Sequence, residues 1–362
     1  RTLFVEAGAG SGKTTQLVER IVNLVLREGL RLSEIAAITF TEAAAAELQA
    51  RVRVRFEREV EQTTDPQRRD RSLQAIADAD MAAISTLHGF ASRILGEFAV
   101  EAHIPPRVTV LDAVSSQLAH EARWERFVER LHSDPALRGL LTRAAVLDIA
   151  LEQRYPSQAT FRDVADVLAQ NWDRIAEIAA ADPPPLEPLD LSAIDAAVWA
   201  IRELPNNCLD PDDLFARHLR AEVMPSLDLL DAVVDPLQRL QMARGLKITV
   251  GKGGKKTAWD GDLTDHKTVV REFGEAVQQV VDATVEPLLK HLLRLTAREV
   301  LDAAQRRRDE GGLEFHDLLV LARELLRSRP RVRGVLHGRY RCLLLDEFQD
   351  TDPLQIDLAT LI

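Results

Sequence analysis

A lysine and a threonine end a glycine-rich stretch near the start of the chain, and both side-chain types bind phosphate groups or their metal ions. The stretch covers residues 7–15 and reads Ala-Gly-Ala-Gly-Ser-Gly-Lys-Thr-Thr. It lies between an apolar run at 3–5 and a segment at 16–27 whose apolar residues recur at helical spacing. Glycine lets the backbone approach a phosphate closely, and amides at a helix start point at the anion. The pattern of strand, turn and helix therefore predicts a phosphate-binding loop.

Within this loop, two side chains carry specific expectations. Lys13 is expected to reach the β- and γ-phosphates of a nucleoside triphosphate, and the Thr14 hydroxyl to hold Mg²⁺. Ala7 stands where the strict pattern has glycine, and we expect the loop to tolerate one extra methyl group. The alternative, a glycine-rich turn that binds nothing, is disfavoured by the agreement of all these features. The predicted nucleotide-binding residues are Ala7, Gly8, Ala9, Gly10, Ser11, Gly12, Lys13, Thr14 and Thr15.

An acidic pair, Asp346 and Glu347, follows a short apolar run at 342–345 near the other end of the chain. Such a run is typical of a parallel strand covered on both faces, and open α/β sheets bind ligands beyond the carboxyl ends of their strands. Asp346 is expected to help hold Mg²⁺. Glu347 is expected to orient and deprotonate the water that attacks the γ-phosphate. An acidic loop without function is the alternative, and the phosphate-binding loop upstream disfavours it.

The first third of the chain contains two further strand-to-helix patterns. Residues 34–40 predict a buried strand, and Thr41 is a plausible N-cap for the long helix after it. Residues 81–85 predict another strand, followed by a helix that runs to about residue 101. We expect a polar loop at 63–70.

From residue 112 to about 311 the sequence shows almost only helical periodicity. Three consecutive prolines within 182–188 predict a loop. A second interruption at 245–265 holds five glycines, several lysines and Trp259. It is interpreted either as a surface loop or hairpin anchored by Trp259, or as a basic finger that contacts a nucleic-acid backbone.

Length and composition limit the classes of protein to which the chain can belong. With 362 residues the chain can form two or more domains. Its net charge of −11 argues against a surface coated in positive charge, although a local basic groove remains compatible with it. The two cysteines are far apart in the sequence, so we expect no disulfide framework and a reducing, cytoplasmic setting. No apolar run reaches membrane-spanning length, so we expect no membrane partner.

Five strings together resemble the UvrD/Rep family of DNA helicases, and within it most closely the RecB- and AddA-type motor subunits. The most specific string is Asp-Glu-Phe-Gln-Asp-Thr at 346–351, which is hard to reach by chance. The strings stand in the family's order and occupy both ends of the chain, while the middle agrees only in position and helical character. They lie at 5–15, 37–52, 85–95, 313–319 and 343–355.

The resemblance implies an ATP-driven motor that moves along single-stranded DNA, with ATP and Mg²⁺ as cofactors. It implies a place in DNA repair or recombination, within a helicase–nuclease complex. The expected partners are single-stranded DNA, a duplex junction and a nuclease or accessory subunit. Lys13 and Glu347 would be catalytic, and Gln349 would sense the γ-phosphate or its attacking water.

Four residues match the family's DNA-contacting motifs. Phe40 and Thr41 match a motif that touches the strand, where a base can stack on the aromatic ring. Thr86 and His88 match a second motif, which contacts backbone phosphates. Plain core packing is the alternative for Phe40, and a helix-cap or packing role is the alternative for His88.

The expected fold is α/β, a RecA-like P-loop domain with a parallel sheet interrupted by a large all-α insertion subdomain. We expect the RecA-like domain at 1–112 and 312–362, and the insertion at 113–311. In this arrangement Lys13 and Asp346 meet at one magnesium ion, despite their distance along the chain.

Two family features are missing from the sequence, which looks like a segment of a longer protein. A glutamine upstream of the loop would precede Arg1, and a second RecA-like domain with its arginines would follow Ile362. We therefore expect very slow ATP hydrolysis and no unwinding by this chain alone. The alternatives are a nucleotide- or DNA-binding module without turnover, and a P-loop kinase acting on a small molecule.

Overall fold

The computed structural model describes residues 12–152, 160–347 and 352–362. The strand expected at 3–5, the loop residues Ala7 to Ser11 and the proposed sensor Gln349 lie outside the described residues. The chain divides into two compact units. The first unit is formed by both ends of the chain, Arg1–Leu118 and Ala304–Ile362, and the second by Ala119–Ala303.

The first unit begins with alternating helices and strands. Its elements before the second unit are α1 (Lys13–Leu26), β1 (Ile35–Thr39), α2 (Glu42–Gln62), α3 (Pro66–Ala77), β2 (Ala83–Thr86), α4 (Leu87–Glu97) and β3 (Thr109–Val110).

Helices make up the regular structure described for the second unit, and its first and last helices extend into the first unit. They are α5 (Ala113–Ser133), α6 (Arg138–Val146), α7 (Phe161–Ala169), α8 (Ala176–Ala180), α9 (Ser192–Glu203), α10 (Leu214–His218), α11 (Met224–Asp231), α12 (Pro236–Gly245) and α13 (Leu263–Glu310).

The chain then completes the first unit with two strands and three helices. These are β4 (Gly312–Leu313), α14 (Phe315–Ser328), α15 (Pro330–Arg339), β5 (Cys342–Leu345) and α16 (Pro353–Leu361).

The main sheet of the first unit is parallel, with β1 in the centre, β2 on one side and β5 on the other. Ala36 of β1 pairs with Ala83 of β2 and with Leu343 of β5. All five residues of β1 are buried, as expected for a strand with neighbours on both sides. β5 is only half-buried along its length, so the prediction of a strand fully covered on both faces is wrong. Among the described strands, β5 has a neighbour on one side.

Helices cover both faces of this sheet. Ile35 and Ala37 of β1 belong to a core cluster with residues of α1, α2 and α3. Successive side chains of a strand point to opposite faces, so Ala36 and Ile38 face the other side, where α4 packs against β1. α14 in turn packs against α4 and α16. The first unit is thus a mixed α/β structure with a parallel sheet, as the sequence predicts at this level.

Helix α3 corrects one expectation. Residues 63–70 were predicted to be a polar loop, but α3 begins at Pro66. The Asp65 side chain accepts a hydrogen bond from the Gln67 amide at 2.9 Å, and Pro66 occupies the first turn, where its missing N–H is not needed. The polar composition of this segment reflects a helix start and an exposed helix face.

A second parallel sheet has two strands. One strand comes shortly before the chain leaves the first unit, and the other comes shortly after it returns. Thr109 pairs with Gly312, and Val110 with Leu313. Gly311, just before β4, has φ 74°, and a Cβ at this position would come within 3.0 Å of the Arg107 carbonyl oxygen. Only glycine allows both this left-handed conformation and this close approach.

A buried ion pair holds the beginning of α14. Arg307 of α13 donates two hydrogen bonds to Asp317, each at 2.7 Å, and the two residues are 8% and 1% exposed. Asp317 also accepts from the Glu314 amide at 2.9 Å. Burial lowers the pKa of Arg307, but the hydrogen bonds and charge of Asp317 outweigh this and raise it overall. Arg307 therefore stays charged, and the pair fixes the first turn of α14.

The second unit has its own hydrophobic core, built from α5 to α7 and α9 to α13, and a smaller cluster that includes α8. The segment at 182–188 is an irregular loop, as predicted. The glycine- and lysine-rich segment is pinned through Asp213. This carboxylate accepts from the Trp259 indole at 3.1 Å and from the Lys255 amide at 2.8 Å. Trp259 is 3% exposed and anchors the segment. Nucleic-acid contact by the exposed lysines stays a prediction.

Within the described parts of the chain, no helix is both long enough and apolar enough to cross a membrane.

The buried pair Arg307–Asp317 should contribute strongly to stability. We expect Asp317→Ala to lower the free energy of unfolding by about 3–5 kcal/mol, because it leaves a buried guanidinium unpaired. Replacing both partners, Arg307→Met with Asp317→Leu, should recover most of this loss. Urea unfolding followed by circular dichroism measures both effects.

A matched control is the exposed pair of Arg53 and Glu57 on α2, whose nitrogen and oxygen lie 3.2 Å apart. Glu57→Ala should cost no more than about 1 kcal/mol. Equal losses for Asp317→Ala and Glu57→Ala would show that the buried pair does not hold this part of the fold.

Candidate functional site

Lys13 and Thr14 occupy the first turn of α1. Gly12 precedes them with φ 81°, and its carbonyl accepts from the Gln16 amide at 3.0 Å, so the helix starts here. The first amides of a helix have no partner within the helix, and the helix dipole places positive charge at this end. No acidic residue stands in the first turn of α1. This helix start is therefore suited to an anion.

The acidic pair is held at the end of β5. The Asp346 amide donates to the Ile38 carbonyl of β1 at 2.9 Å, which extends the strand pairing by one residue. Glu347 then adopts φ 51°, in the left-handed region, and its amide donates to Asp346 Oδ1 at 3.0 Å. A non-glycine residue in this conformation costs about 1–3 kcal/mol and persists where its surroundings impose it. The turn directs the Glu347 side chain towards α1.

Lys13 and Glu347 form an ion pair. Lys13 Nζ lies 2.9 Å from Glu347 Oε1 and 3.1 Å from Oε2, although 334 positions separate the two residues in sequence. The two side chains are 31% and 34% exposed, so the pair contributes little to stability. It shows that the start of α1 and the acidic turn face each other.

A pocket of about 150 Å³ opens at the carboxyl ends of the sheet. The three strands are parallel, so the residues that follow β1, β2 and β5 meet at one edge. The pocket is lined by Ile38, Thr39, Phe40, Leu87, His88, Leu345, Asp346, Glu347, Gln355 and Ala359.

The predicted metal donors suit a magnesium ion shared with a nucleotide. Thr14 and Asp346 offer a hydroxyl and a carboxylate oxygen, and Mg²⁺ usually takes one or two protein oxygens beside water and phosphate. Each donor is the sequence neighbour of one partner of the Lys13–Glu347 ion pair. Among the described residues, no group of three or more His, Cys, Asp or Glu side chains is arranged to hold a metal ion.

Phe40 and Thr41 lie just beyond β1. Phe40 is 56% exposed and lines the pocket, so the alternative that it is plain core is wrong. The Thr41 hydroxyl accepts from the Ala44 amide at 3.1 Å, which confirms Thr41 as the N-cap of α2.

Thr86 is 5% exposed and its hydroxyl has two partners. It donates to Glu42 Oε1 at 2.6 Å and accepts from the Gly89 amide at 3.0 Å, which caps α4. These contacts join the start of α4 to the start of α2. They give Thr86 a positioning role, and direct DNA contact by Thr86 stays a prediction.

His88 lies in the first turn of α4 and lines the pocket. Because Thr86 caps this helix, the helix-cap interpretation of His88 is wrong. Its ring meets the Phe315 ring edge-on, with centroids 5.5 Å apart and an interplanar angle of 87°. Burial lowers the pKa of His88 and His316 lowers it further, against the opposing charges of Asp352 and Glu42. Its imidazole is therefore neutral at neutral pH.

Sequence reasoning assigned no role to Gln355 or Phe315. Gln355 lines the pocket from the first turn of α16, where its backbone N–H donates to the Asp352 side chain at 2.8 Å. The spacing of Asp352 and Gln355 is a capping pattern that could have placed Gln355 at a helix start. No sequence signal brings Phe315 to His88, because their contact joins segments far apart along the chain.

A lysine at a helix start, an acidic pair and a pocket at the carboxyl ends of parallel strands make this sheet edge the candidate ligand site of an α/β protein. The chain belongs to the UvrD/REP helicase family, whose N-terminal domain model matches residues 1–362. The resemblance drawn from the sequence motifs is confirmed.

The relatives of this chain include proteins named as the A subunit of an ATP-dependent helicase/nuclease. The protein from Ligilactobacillus salivarius (strain UCC118) is 23% identical over 403 residues, which cover 100% of this chain and 32% of the relative. The protein from Syntrophomonas wolfei subsp. wolfei is 24% identical over 396 residues, which cover 98% of this chain and 31% of the relative. The chain spans about a third of the length of these curated relatives.

The lowered pKa of His88 has a consequence for stability. The ordinary pKa of a histidine in an unfolded chain is 6.5, and His88 in the folded chain titrates below it. The unfolded chain therefore takes up this proton first, and stability is lost as the pH falls below about 6.5. In His88→Gln this contribution is absent.

Urea unfolding at pH 7.5 and pH 5.5 tests this expectation. The wild-type chain should lose more stability between the two values than His88→Gln does. An equal loss in both proteins would show that His88 is not held neutral by its surroundings.

Proposed function

We propose that this chain is the ATP-binding part of a DNA helicase or translocase that moves along single-stranded DNA by ATP hydrolysis. The Lys13–Glu347 ion pair carries the proposal. It brings the start of α1 and the end of β5 to one side of the parallel sheet, as a nucleotide site of this kind requires. Family membership supports the proposal independently.

The fold proposed for the first unit is RecA-like, interrupted by an all-α insertion at 113–311. Its parallel sheet, with the candidate ligand pocket beyond the carboxyl ends, supports this assignment. The two ends of the chain together form this unit, as expected if the segment between them is an insertion.

Each residue of the proposed nucleotide site has a separate task. The loop from Ala7 to Thr15 would surround the triphosphate, with Lys13 donating to its β- and γ-phosphate oxygens. Thr14 and Asp346 would hold Mg²⁺, which neutralises the charge that develops on the phosphates. Gln349 would sense the γ-phosphate.

Binding of a triphosphate must change the Lys13–Glu347 contact. Lys13 Nζ now donates to Glu347, and a phosphate oxygen would take over this ammonium group. Glu347 would then accept a proton from the attacking water as general base. The left-handed backbone at Glu347 would keep its carboxylate directed towards the start of α1 during this exchange.

Slow turnover by the chain alone is part of the proposal. None of the described residues that line the pocket is an arginine. An arginine finger typically accelerates phosphoryl transfer by about 10³–10⁵-fold. The proposed full activity would therefore need an arginine from elsewhere.

DNA would bind at the face where Phe40, Thr41 and His88 follow the strands, with Thr86 positioning α4. The relatives are named helicase/nuclease subunits, so a nuclease or accessory subunit is a proposed partner in DNA repair or recombination. Both cysteines are free thiols, which supports a reducing, cytoplasmic location.

Nucleotide binding tests the proposed role of Lys13. We expect Lys13→Ala to weaken binding of a fluorescent ATP analogue with Mg²⁺ by about 10- to 100-fold, because charge-assisted hydrogen bonds to phosphate are lost. The matched control is Arg20→Ala on the same helix, where Arg20 pairs with Glu28 at an exposed site. Similar affinities of Lys13→Ala and the wild type would contradict the proposed site.

Steady-state hydrolysis separates a motor from a binding module without turnover. Glu347→Gln should keep ATP binding and abolish the slow hydrolysis of the chain, because the amide cannot take up the proton from water. Measurements with and without single-stranded DNA extend the test. DNA-stimulated turnover near that of an intact helicase would contradict the proposed need for an additional arginine.

A further inference from the structure

Glu42 carries a negative charge beside two segments for which DNA contact is proposed. It is exposed at the start of α2, directly after Phe40 and Thr41, which we call the first contact segment. His88 is the second contact segment. Burial lowers the pKa of His88, and the charge of Glu42 is among those that oppose this shift. Because a carboxylate repels a phosphate backbone, its presence at this surface requires a separate reason.

The main sheet brings the two contact segments side by side. Thr39 is the last residue of β1 and Thr86 the last residue of β2, and these two residues pair in the parallel register. Neighbouring strands lie about 4.8 Å apart, so the segments that follow them begin close together. Beyond the strand ends the chain enters two different helices, and strand pairing no longer fixes the distance between the segments.

A hydrogen bond joins the two helix starts beyond the strand ends. The Thr86 hydroxyl donates to Glu42 Oε1 at 2.6 Å, a length typical of a hydrogen bond from a hydroxyl to a carboxylate. Such charge-assisted bonds are roughly twice as strong as bonds between neutral groups. Thr86 is buried, and its oxygen also accepts from the Gly89 amide at 3.0 Å. Glu42 is therefore attached to a fixed point at the start of α4.

The turn that carries the first contact segment is held from both sides. On the β1 side, the Thr39 hydroxyl donates to the Thr41 carbonyl at 3.1 Å. On the α2 side, Glu42 reaches the first turn of α4, where a Cβ built on Gly89 would lie 3.8 Å from Glu42 Oε1. The same Cβ would lie 3.3 Å from Thr86 Oγ1, so the two side chains pack closely against this turn.

We propose that Glu42 is a positioning residue, whose hydrogen bond to Thr86 sets the distance between the two contact segments for single-stranded DNA. The inference rests on the proposed function of the chain. Segments that are already correctly spaced lose less conformational freedom when one strand binds to both of them. The acceptor oxygen of Glu42 supports binding in this way, whereas its charge acts against the phosphates.

Variants of Glu42 test this inference, because its charge and its hydrogen bond affect DNA affinity in opposite directions. Fluorescence anisotropy measures binding of a labelled 20-mer of deoxythymidine to the full chain. Glu42→Ala removes both the charge and the acceptor, and it should weaken binding by about 5- to 10-fold. Glu42→Gln removes the charge but keeps an acceptor oxygen, so it should bind at least as tightly as the wild type.

Glu47→Ala is the matched control for the charge. Glu47 belongs to the same helix and pairs with Arg51 at an exposed site. Its replacement removes the same charge from α2 and should not weaken DNA binding. If Glu42→Ala binds the strand as tightly as the wild type or more tightly, the inference is overturned.

A Thr86→Val background tests whether Thr86 transmits the effect. The hydroxyl is absent from this background, so Glu42→Ala should cause no further loss of affinity there. In Thr86→Ser, which keeps the hydroxyl, Glu42→Ala should cause its full loss. An equal loss in the valine and serine backgrounds would overturn the role of this hydrogen bond.

Nucleotide binding separates positioning from a general loss of structure. Glu42→Ala should bind a fluorescent ATP analogue with Mg²⁺ like the wild type, because the proposed nucleotide site does not include Glu42. A parallel loss of nucleotide and DNA binding would overturn the positioning role. If the wild-type chain does not bind the thymidine strand, the proposed DNA binding and this inference fall together. If it binds and the expected difference between Glu42→Ala and Glu42→Gln is absent, only this inference falls.

Discussion

The contact between Lys13 and Glu347 is the constraint on which the candidate site depends. Its two side chains are 31% and 34% exposed, and such a pair adds little to the free energy of unfolding. The sheet must therefore create the geometry. The pairing of β5 with β1, continued by the hydrogen bond from the Asp346 amide to Ile38, delivers the acidic turn to the start of α1. The ion pair forms because of this placement and joins the two segments.

A second ion pair has the opposite character. Arg307 and Asp317 are almost fully buried, so their cost of desolvation is high and their separation is unfavourable. They lie where the chain returns to the first unit, beside the short sheet of β3 and β4. The buried pair therefore supports the fold at this return. The Lys13–Glu347 pair is about one-third exposed, which is compatible with the proposed exchange of partners when a charged ligand binds.

Local signals in the sequence predicted much of the first unit. Thr41 as a helix cap, β1, β2 and β5 all follow from side-chain types over a few residues. The error at 63–70 came from weighing polar composition above the Asp-Pro pair that begins α3. The half-burial of β5 could not be predicted, because it depends on which strand lies beside it in space.

Contacts between distant segments account for most of what the sequence could not show. The Thr86 hydroxyl is engaged by Glu42, 44 residues away, and this partner gives Thr86 its positioning role. The placement of Phe315 beside His88 has the same origin. Motif matching identifies which residues belong together, but their exposure and partners follow from the packing of several elements.

The overall acidity of the chain and its proposed DNA binding are compatible if bases provide much of the contact. A net charge of −11 weakens attraction to a phosphate backbone, and the charges of Glu42 and Asp352 act at His88. Stacking on Phe40 needs no positive charge. A neutral His88 can still donate one hydrogen bond. Without a positive charge, its ring also attracts the carboxylates of Glu42 and Asp352 less strongly, so these side chains are less drawn to cover it. An aromatic contact of this kind releases fewer counterions than a basic groove does, so its affinity depends less on salt.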